Sequence, residues 1–229
     1  FVAELGVRVV GCCCGTTPAH LAAVVERIRG IVPAERHPVH EPGIASIYSH
    51  TPYDQSPSFL VVGERTNANG SKKFREALLA GDWDTATKMA ADQIKEGSHV
   101  LDVCVDYVGR DGTADMEEIA SRFATASTVP IMVDSTEAPV VETALQWIGG
   151  KAILNSVNLE DGAEPGTRLD RFLSLARDYG AAVVCTCIDE EGQARDREWK
   201  LRAARSIYEL ATERYGIPAE DLIFDPLAL

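Results

Sequence analysis

The sequence predicts an α/β protein built as a (β/α)8 TIM barrel, and three observations carry that expectation. Short apolar runs end in a carboxylate or carboxamide: Val100-Leu101 before Asp102, Pro130 to Val133 before Asp134, Ala152 to Leu154 before Asn155, Ala181 to Ile188 before Asp189, and Ile223-Phe224 before Asp225. Continuous apolar runs suit strands of a parallel sheet covered on both faces, and chemistry in such proteins sits just past the strand's carboxyl end. Amphipathic helical stretches alternate with these runs, which implies right-handed βαβ crossovers. No Gly-x-Gly-x-x-Gly turn follows the first run, as a dinucleotide-binding open sheet would need, whereas polar groups after nearly every strand are how a barrel assembles one site.

In chain order, Val7-Arg8-Val9-Val10 predicts a short strand and Gly11 to Gly15 a tight turn. Thr17 and Pro18 suit the cap and first position of a helix whose Leu21, Val24, Val25 and Ile28 recur at helical spacing. From Gly30 to Ser58 periodicity is lost among prolines and histidines, which reads as an interdomain linker. Phe59 to Val62 then predicts the first strand of a second barrel, with Gly63-Glu64-Arg65-Thr66-Asn67 as its polar end. Helices are expected at 71–79, 84–96, 115–126, 138–148, 168–179 and 195–215. Gly97, Gly149-Gly150, Gly180 and Gly216 stand where left-handed helix ends are wanted. The domain reading is thus 1–30, the C-terminal end of one barrel, its last β-α unit; 31–58, a linker; and 59–229, a second barrel. A full barrel takes roughly 250 residues, and six strand candidates follow Phe59, so an incomplete barrel is expected. The start at Phe1 without Met fits a piece of a longer protein.

Composition narrows the partners. With 22 basic and 35 acidic residues and a net charge of −13, nucleic acid and anionic membrane surfaces are poor matches, because both need a basic face. No apolar run approaches a membrane span, and no signal peptide layout is present, so a cytoplasmic enzyme is expected. Six cysteines, three of them consecutive at Cys12, Cys13 and Cys14, suit reduced thiols rather than a disulfide framework. By spacing alone those three are either small residues in a crowded turn or a zinc thiolate pair that lacks a third ligand.

The expected barrel mouth holds Glu64, Asp102, Asp106, Asp134, Asn155, Asp189 and Asp225, many acceptors and few cations. A phosphate-bearing ligand matches that poorly. A neutral heterocycle with several N–H donors, such as a pterin, matches it well. The competing reading is that each Asp or Asn merely caps the following helix, as Asp134-Ser135-Thr136 would before Ala138.

Taken in order, Gly63 to Asn67 with Gly70-Ser71 and Phe74, Leu101-Asp102-Val103, Met132-Val133-Asp134-Ser135, Asn155-Ser156-Val157, Asp189 to Ala194 and Ile223 to Pro226 resemble the pterin-binding (methyltetrahydrofolate) domain of the cobalamin-dependent methionine synthase family. Gly11 to Pro18 resembles the end of that family's homocysteine-binding domain, whose Gly-Gly-Cys-Cys-Gly-Thr-Thr-Pro motif carries two of three zinc-binding cysteines. The resemblance implies methyl transfer from 5-methyltetrahydrofolate by way of cobalamin to zinc-bound homocysteine, giving methionine and tetrahydrofolate. It implies zinc on Cys13 and Cys14, with a pair shifted by one as the alternative because Cys12 replaces the family's second Gly. It places the pterin on Glu64, Asn67, Asp102, Asp134, Asn155, Asp189 and Asp225, with Asn155 near N5 as the catalytic residue. The partners implied are the two small-molecule substrates and a cobalamin-binding domain of the same parent chain. A methyltetrahydrofolate to corrinoid-protein methyltransferase, a dihydropteroate synthase, and a non-catalytic folate- or zinc-binding module are the rivals.

Overall fold

The structure, a computed structural model, describes residues 1–228. It divides into two units, Phe1–Glu41 and Pro42–Leu229.

The first unit holds α1 (Val2–Leu5) and α2 (Pro18–Ile28). Pro18 opens α2, where a missing N–H costs nothing, and the Thr17 N–H donates to His20 Nδ1 at 3.0 Å. His20 therefore ties down the helix start. The strand expected at Val7 to Val10 is absent: Val9 is 89% exposed. A strand needs a hydrogen-bonded neighbour, and among the described residues of this unit no segment pairs with it.

The second unit opens with a hairpin, β1 (Gly43–Ala45) against β2 (His50–Pro52). It continues through β3 (Val62–Asn67), α3 (Lys72–Ala80), α4 (Trp83–Lys95), β4 (Val100–Cys104), α5 (Gly112–Ala126), β5 (Ile131–Asp134) and α6 (Ala138–Trp147). After these come β6 (Ile153–Val157), α7 (Arg168–Tyr179), β7 (Ala182–Thr186), the short hairpin β8 (Ile188–Asp189) and β9 (Gly192–Gln193), α8 (Arg197–Glu209) and β10 (Leu222–Asp225). Ser71, Asp82, Asp111, Thr167 and Asp196 each cap the following helix by accepting a backbone N–H. The last predicted helix breaks at Glu209 into a π-helical turn, Leu210–Arg214.

Six parallel strands stand in the order β10-β7-β6-β5-β4-β3. Apart from the β8–β9 hairpin this is chain order, the topology of an α/β barrel wall, and β3 and β10 do not pair with each other among the described residues. The period-2 rule sorts the side chains. Leu101, Val103, Ile131, Val133, Leu154, Val183 and Cys185 point outward into the layer of helices. Val62, Val100, Met132, Ile153, Ala182 and Ile223 point inward and pack together with fully buried Ile44 from β1. The stretch read as a linker therefore contains a hairpin whose Ile44 closes the apolar lower layer of the barrel. Two residues further along five of these strands stand Glu64, Asp102, Asp134, Asn155 and Asp225. One strand thus carries an apolar floor residue and, one pleat higher, a polar one.

Two expected boundaries move. The first strand begins at Val62, and Phe59 is 85% exposed, so the Gly63 to Asn67 cluster lies inside the strand instead of beyond it. Gly63 is needed there: a Cβ would stand 2.6 Å from Ser98 Oγ and 2.8 Å from Gln93 Oε1. The run from Ala181 to Ile188 is also split, since β7 ends at Thr186 and Ile188-Asp189 turn back into the β8–β9 hairpin. Among the described residues no helix is long and apolar enough to cross a membrane.

Candidate functional site

The site grows from the carboxyl ends of β3 to β6. Asp102, on the central part of β4, is 4% exposed. Its Oδ2 accepts from Asn67 Nδ2 at 2.8 Å, while Oδ1 is the one buried side-chain nitrogen or oxygen among the described residues with no hydrogen-bond partner. Burial pushes the Asp102 carboxyl up to about 7; the Asn67 hydrogen bond opposes this, and the negative charges of Asp134 and Glu64 add to it. Asp134 is shifted in the same direction, again by burial first, with Asn67 Nδ2 donating to its Oδ2 at 2.8 Å and Asp106 and Glu64 repelling its charge. Asn155 stands beside Asp134 in the β5–β6 register, and its carboxamide bonds to no other described residue.

The capping alternative fails at Asp134. Glu137 occupies the cap of α6, and Ser135 Oγ donates to Asp106 at 2.9 and 3.0 Å while Thr136 N–H donates to Asp106 Oδ2 at 3.0 Å. Asp106 does the local structural work, which leaves Asp134 facing the barrel interior. Neither the Asp106–Ser135 pair nor the bracing of β3 by Gln93 was foreseen. Gln93 Oε1 accepts from Arg65 N–H at 2.6 Å, its Nε2 donates to Thr66 Oγ1 at 3.3 Å, and that hydroxyl donates to the Asp102 carbonyl at 2.6 Å. A buried Gln on an amphipathic helix was the available signal.

The structure thus brings Asn67, Asp102, Asp134 and Asn155 together, with exposed Glu64 close enough to repel both carboxylates. Asp225 ends β10 in register with Thr186; it is exposed, and its Oδ1 accepts from Leu227 N–H at 2.8 Å. Asp189 is placed elsewhere, on the β8–β9 hairpin. Its Oδ2 accepts from Trp199 Nε1 at 2.7 Å, its Oδ1 from Glu191 N–H at 3.0 Å, and Arg202 lies 3.6 Å away.

Cys12, Cys13 and Cys14 are exposed, and Cys13 Sγ lies 3.6 Å from Cys14 Sγ. Hydrogen bonding from the Cys14 backbone, then from its side chain, holds the Cys13 thiol below its ordinary range. Two thiolates on tetrahedral zinc at about 2.3 Å stand about 3.8 Å apart, so the pair fits two of four corners. Among the described residues no group of three His, Cys, Asp or Glu side chains forms a complete metal site.

The inward side chains one pleat above the apolar layer, Glu64, Asp102, Asp134, Asn155 and Asp225, are all hydrogen-bond acceptors at the carboxyl ends of parallel strands, where α/β barrels carry their sites. Residues 63–229 match the family described as "Pterin binding enzyme", and the chain belongs to that family. It is 48% identical over 99% of its length to the methionine synthase of Mycobacterium tuberculosis (strain ATCC 25618 / H37Rv), and 49% identical over 99% to that of Mycobacterium leprae (strain TN). The chain spans 19% of the length of each of these relatives. Among solved structures, dihydropteroate synthase from Xanthomonas albilineans in complex with indole-2-carboxylic acid and 6-chloroguanine matches with a TM-score of 0.58 at 18% identity, covering 82% of this chain and 66% of that one. At that identity the likeness speaks to the fold, the TIM barrel of pterin-binding proteins.

Proposed function

We propose that the barrel binds 5-methyltetrahydrofolate by its pterin ring, and that the parent protein is a cytoplasmic methyltransferase making methionine and tetrahydrofolate. The observation that carries this reading is the orphaned, buried Asp102 Oδ1, set beside Asp134 and Asn155 in a chain of the pterin-binding family. A buried carboxylate oxygen without a partner is costly, and a ligand N–H removes that cost. Asp102 and Asp134 take the pterin's donor edge, Glu64 and Asp225 flank it, and Asn155 lies along the ring on the N5 side. Asp189, already bonded to Trp199, contributes by holding the β8–β9 hairpin.

The chemistry requires a proton at N5, because a tertiary amine leaves poorly until it is protonated. Carboxyl groups that repel one another favour a cationic pterin over a neutral one. Asn155 accepts from or donates to N5 through a carboxamide that bonds to no other side chain or backbone group among the described residues. Cobalamin, bound elsewhere in the parent, would supply the methyl carrier, and zinc, which Cys13 and Cys14 would hold, would supply Lewis-acid chemistry at the homocysteine thiol. The close Sγ pair, with the Cys13 thiol held below its ordinary range, suits that role, and a further ligand would have to come from elsewhere in the parent protein.

Methyl-labelled 5-methyltetrahydrofolate tests the reading in the full-length protein supplied with reduced cobalamin and homocysteine. Label is expected in methionine. The double variant Cys13→Ser, Cys14→Ser is expected to lose zinc by elemental analysis and to stop methionine formation while still removing the methyl group from folate. Stoichiometric zinc in that variant would sink the thiolate assignment, and label that never leaves folate in the unaltered protein would sink methyl transfer.

A further inference from the structure

Asn67 was expected to touch the pterin, yet every hydrogen-bonding position of its side chain is taken by the protein. Its Nδ2 donates to Asp102 Oδ2 and to Asp134 Oδ2, both at 2.8 Å. Its Oδ1 accepts from Asn69 N–H at 2.9 Å and from Gly70 N–H at 3.1 Å. A carboxamide has two donor hydrogens and two acceptor lone pairs, so four bonds exhaust it. The amide orientation follows from the partners, since the flipped form would aim an oxygen at two carboxylates and an NH2 at two N–H groups.

We infer that Asn67 is a positioning residue rather than a pterin ligand: it clamps Asp102 and Asp134 by one oxygen each, so that the other oxygen of each carboxylate is presented to the ligand's N–H donors. This rests on the folate reading above and reassigns one residue within it. The clamp explains why Asp102 Oδ1 is left over: the Asn67 amide is spent on the two Oδ2 atoms. It also explains how buried Asp102 and half-buried Asp134 stand together, because a shared amide donor lies between them. Through Oδ1 the same side chain fixes Asn69 and Gly70, the turn ahead of Ser71, which caps α3. The β3 irregularity between Gly63 and Thr66 sets Asn67 in register with Cys104, and so on the inward face.

The groups facing the two carboxyls are Glu64 on β3, Cys104 on β4 and Asp106 just beyond it. Glu64 and Asp106 carry charge that pushes the carboxyls up, Cys104 with its thiol raised to about 12 by burial is neutral over this range, and the Asn67 amide is the hydrogen bond that opposes the upward shift at both carboxyls. Calorimetric titration of the full-length protein with 5-methyltetrahydrofolate from pH 5.5 to 9 tests this, with thermal melting as the check on folding. Asn67→Ala removes the clamp and the turn anchor without adding charge and so carries the test of the pH midpoint, while Asn67→Asp keeps an acceptor for Asn69 and Gly70 but replaces the two donors with a third carboxylate that itself repels the other two. Both variants are expected to bind roughly 10-fold more weakly near neutrality. In both, the pH midpoint of the affinity profile is expected to move up by about one unit as the unclamped carboxyls hold their protons. Weaker binding with an unmoved midpoint would mean a direct ligand contact and overturn the clamp, as would unchanged affinity in Asn67→Asp. Absence of folate binding by the unaltered protein would overturn the folate reading itself, and the clamp with it.

Discussion

Asp134→Ala is expected to weaken 5-methyltetrahydrofolate binding by about 100-fold at neutral pH. A hydrogen bond to a charged group is worth about 1.5–3 kcal/mol, and the ligand donor that loses its acceptor stays buried and unpaired. The loss has a second part. Without Asp134, one of the two Asn67 hydrogens is released and the clamp on Asp102 loosens, so the remaining carboxylate is less well aimed. The fold should tolerate the change, because the variant takes a negative charge out of a cluster that repels it and Asp134 is only half-buried. Isothermal calorimetry on a variant whose melting temperature matches the unaltered protein is the check. Affinity within about threefold of the unaltered protein would remove Asp134 from the site.

Asp102→Asn is expected to make the ligand-free protein more stable at pH 8 while it abolishes folate binding. The sign follows from the direction of the shift. In the unfolded chain the carboxyl titrates near its ordinary value of 3.8, and in the folded protein near 7. Below pH 4 both states hold the proton and burial of the neutral acid costs little. Between pH 4 and 7 the unfolded chain releases a proton that the folded protein keeps, so stability falls by about 1.4 kcal/mol per pH unit, about 4 kcal/mol in all. An amide at 102 has no charge to bury. Part of the gain is offset at every pH by its unpaired hydrogens in the place of Oδ1, at a cost of about 2 kcal/mol, which leaves a net stabilisation of about 2 kcal/mol at pH 8 that crosses zero near pH 5 and becomes a loss of about 2 kcal/mol at pH 4. Urea unfolding at both pH values reads this, and equal stability of the two proteins at pH 8 would contradict the burial argument. The same amide would present N–H to the ligand's N–H, hence the loss of binding. On the folate reading, Asp102 would exchange fold stability for recognition.

Much of this was legible in the sequence because parallel strands and their side chains obey short-range rules. An apolar residue followed two positions later by Asp or Asn, as in Val100 and Asp102 or Met132 and Asp134, is a strand with an apolar floor and a polar rim. Helix starts at Ser71 and Thr167 and the stop at Gly180 follow from capping chemistry. Where the reading failed, long-range packing decided. Ile44 lies in a Pro- and His-rich stretch with no periodicity, and only the assembled barrel makes it a floor residue. Val7 to Val10 has strand composition but no pairing neighbour. Asp189 follows an apolar run, yet after Cys187, whose N–H still donates to the Asp225 carbonyl of β10, the chain turns into the β8–β9 hairpin and carries Asp189 to Trp199. The clamp role of Asn67 depends on two carboxylates from other strands, 35 and 67 residues away in sequence, and no local pattern announces such a convergence.

The central claim is that the orphaned oxygen of Asp102 is the pterin's acceptor. A crystal structure of the full-length protein with 5-methyltetrahydrofolate measures this directly. A pterin N–H donor is expected about 3 Å from Asp102 Oδ1, with a second donor on the free oxygen of Asp134 and Asn67 still bonded to both carboxylates. A pterin bound away from β4 and β5, with Asp102 Oδ1 still without a partner, would contradict it.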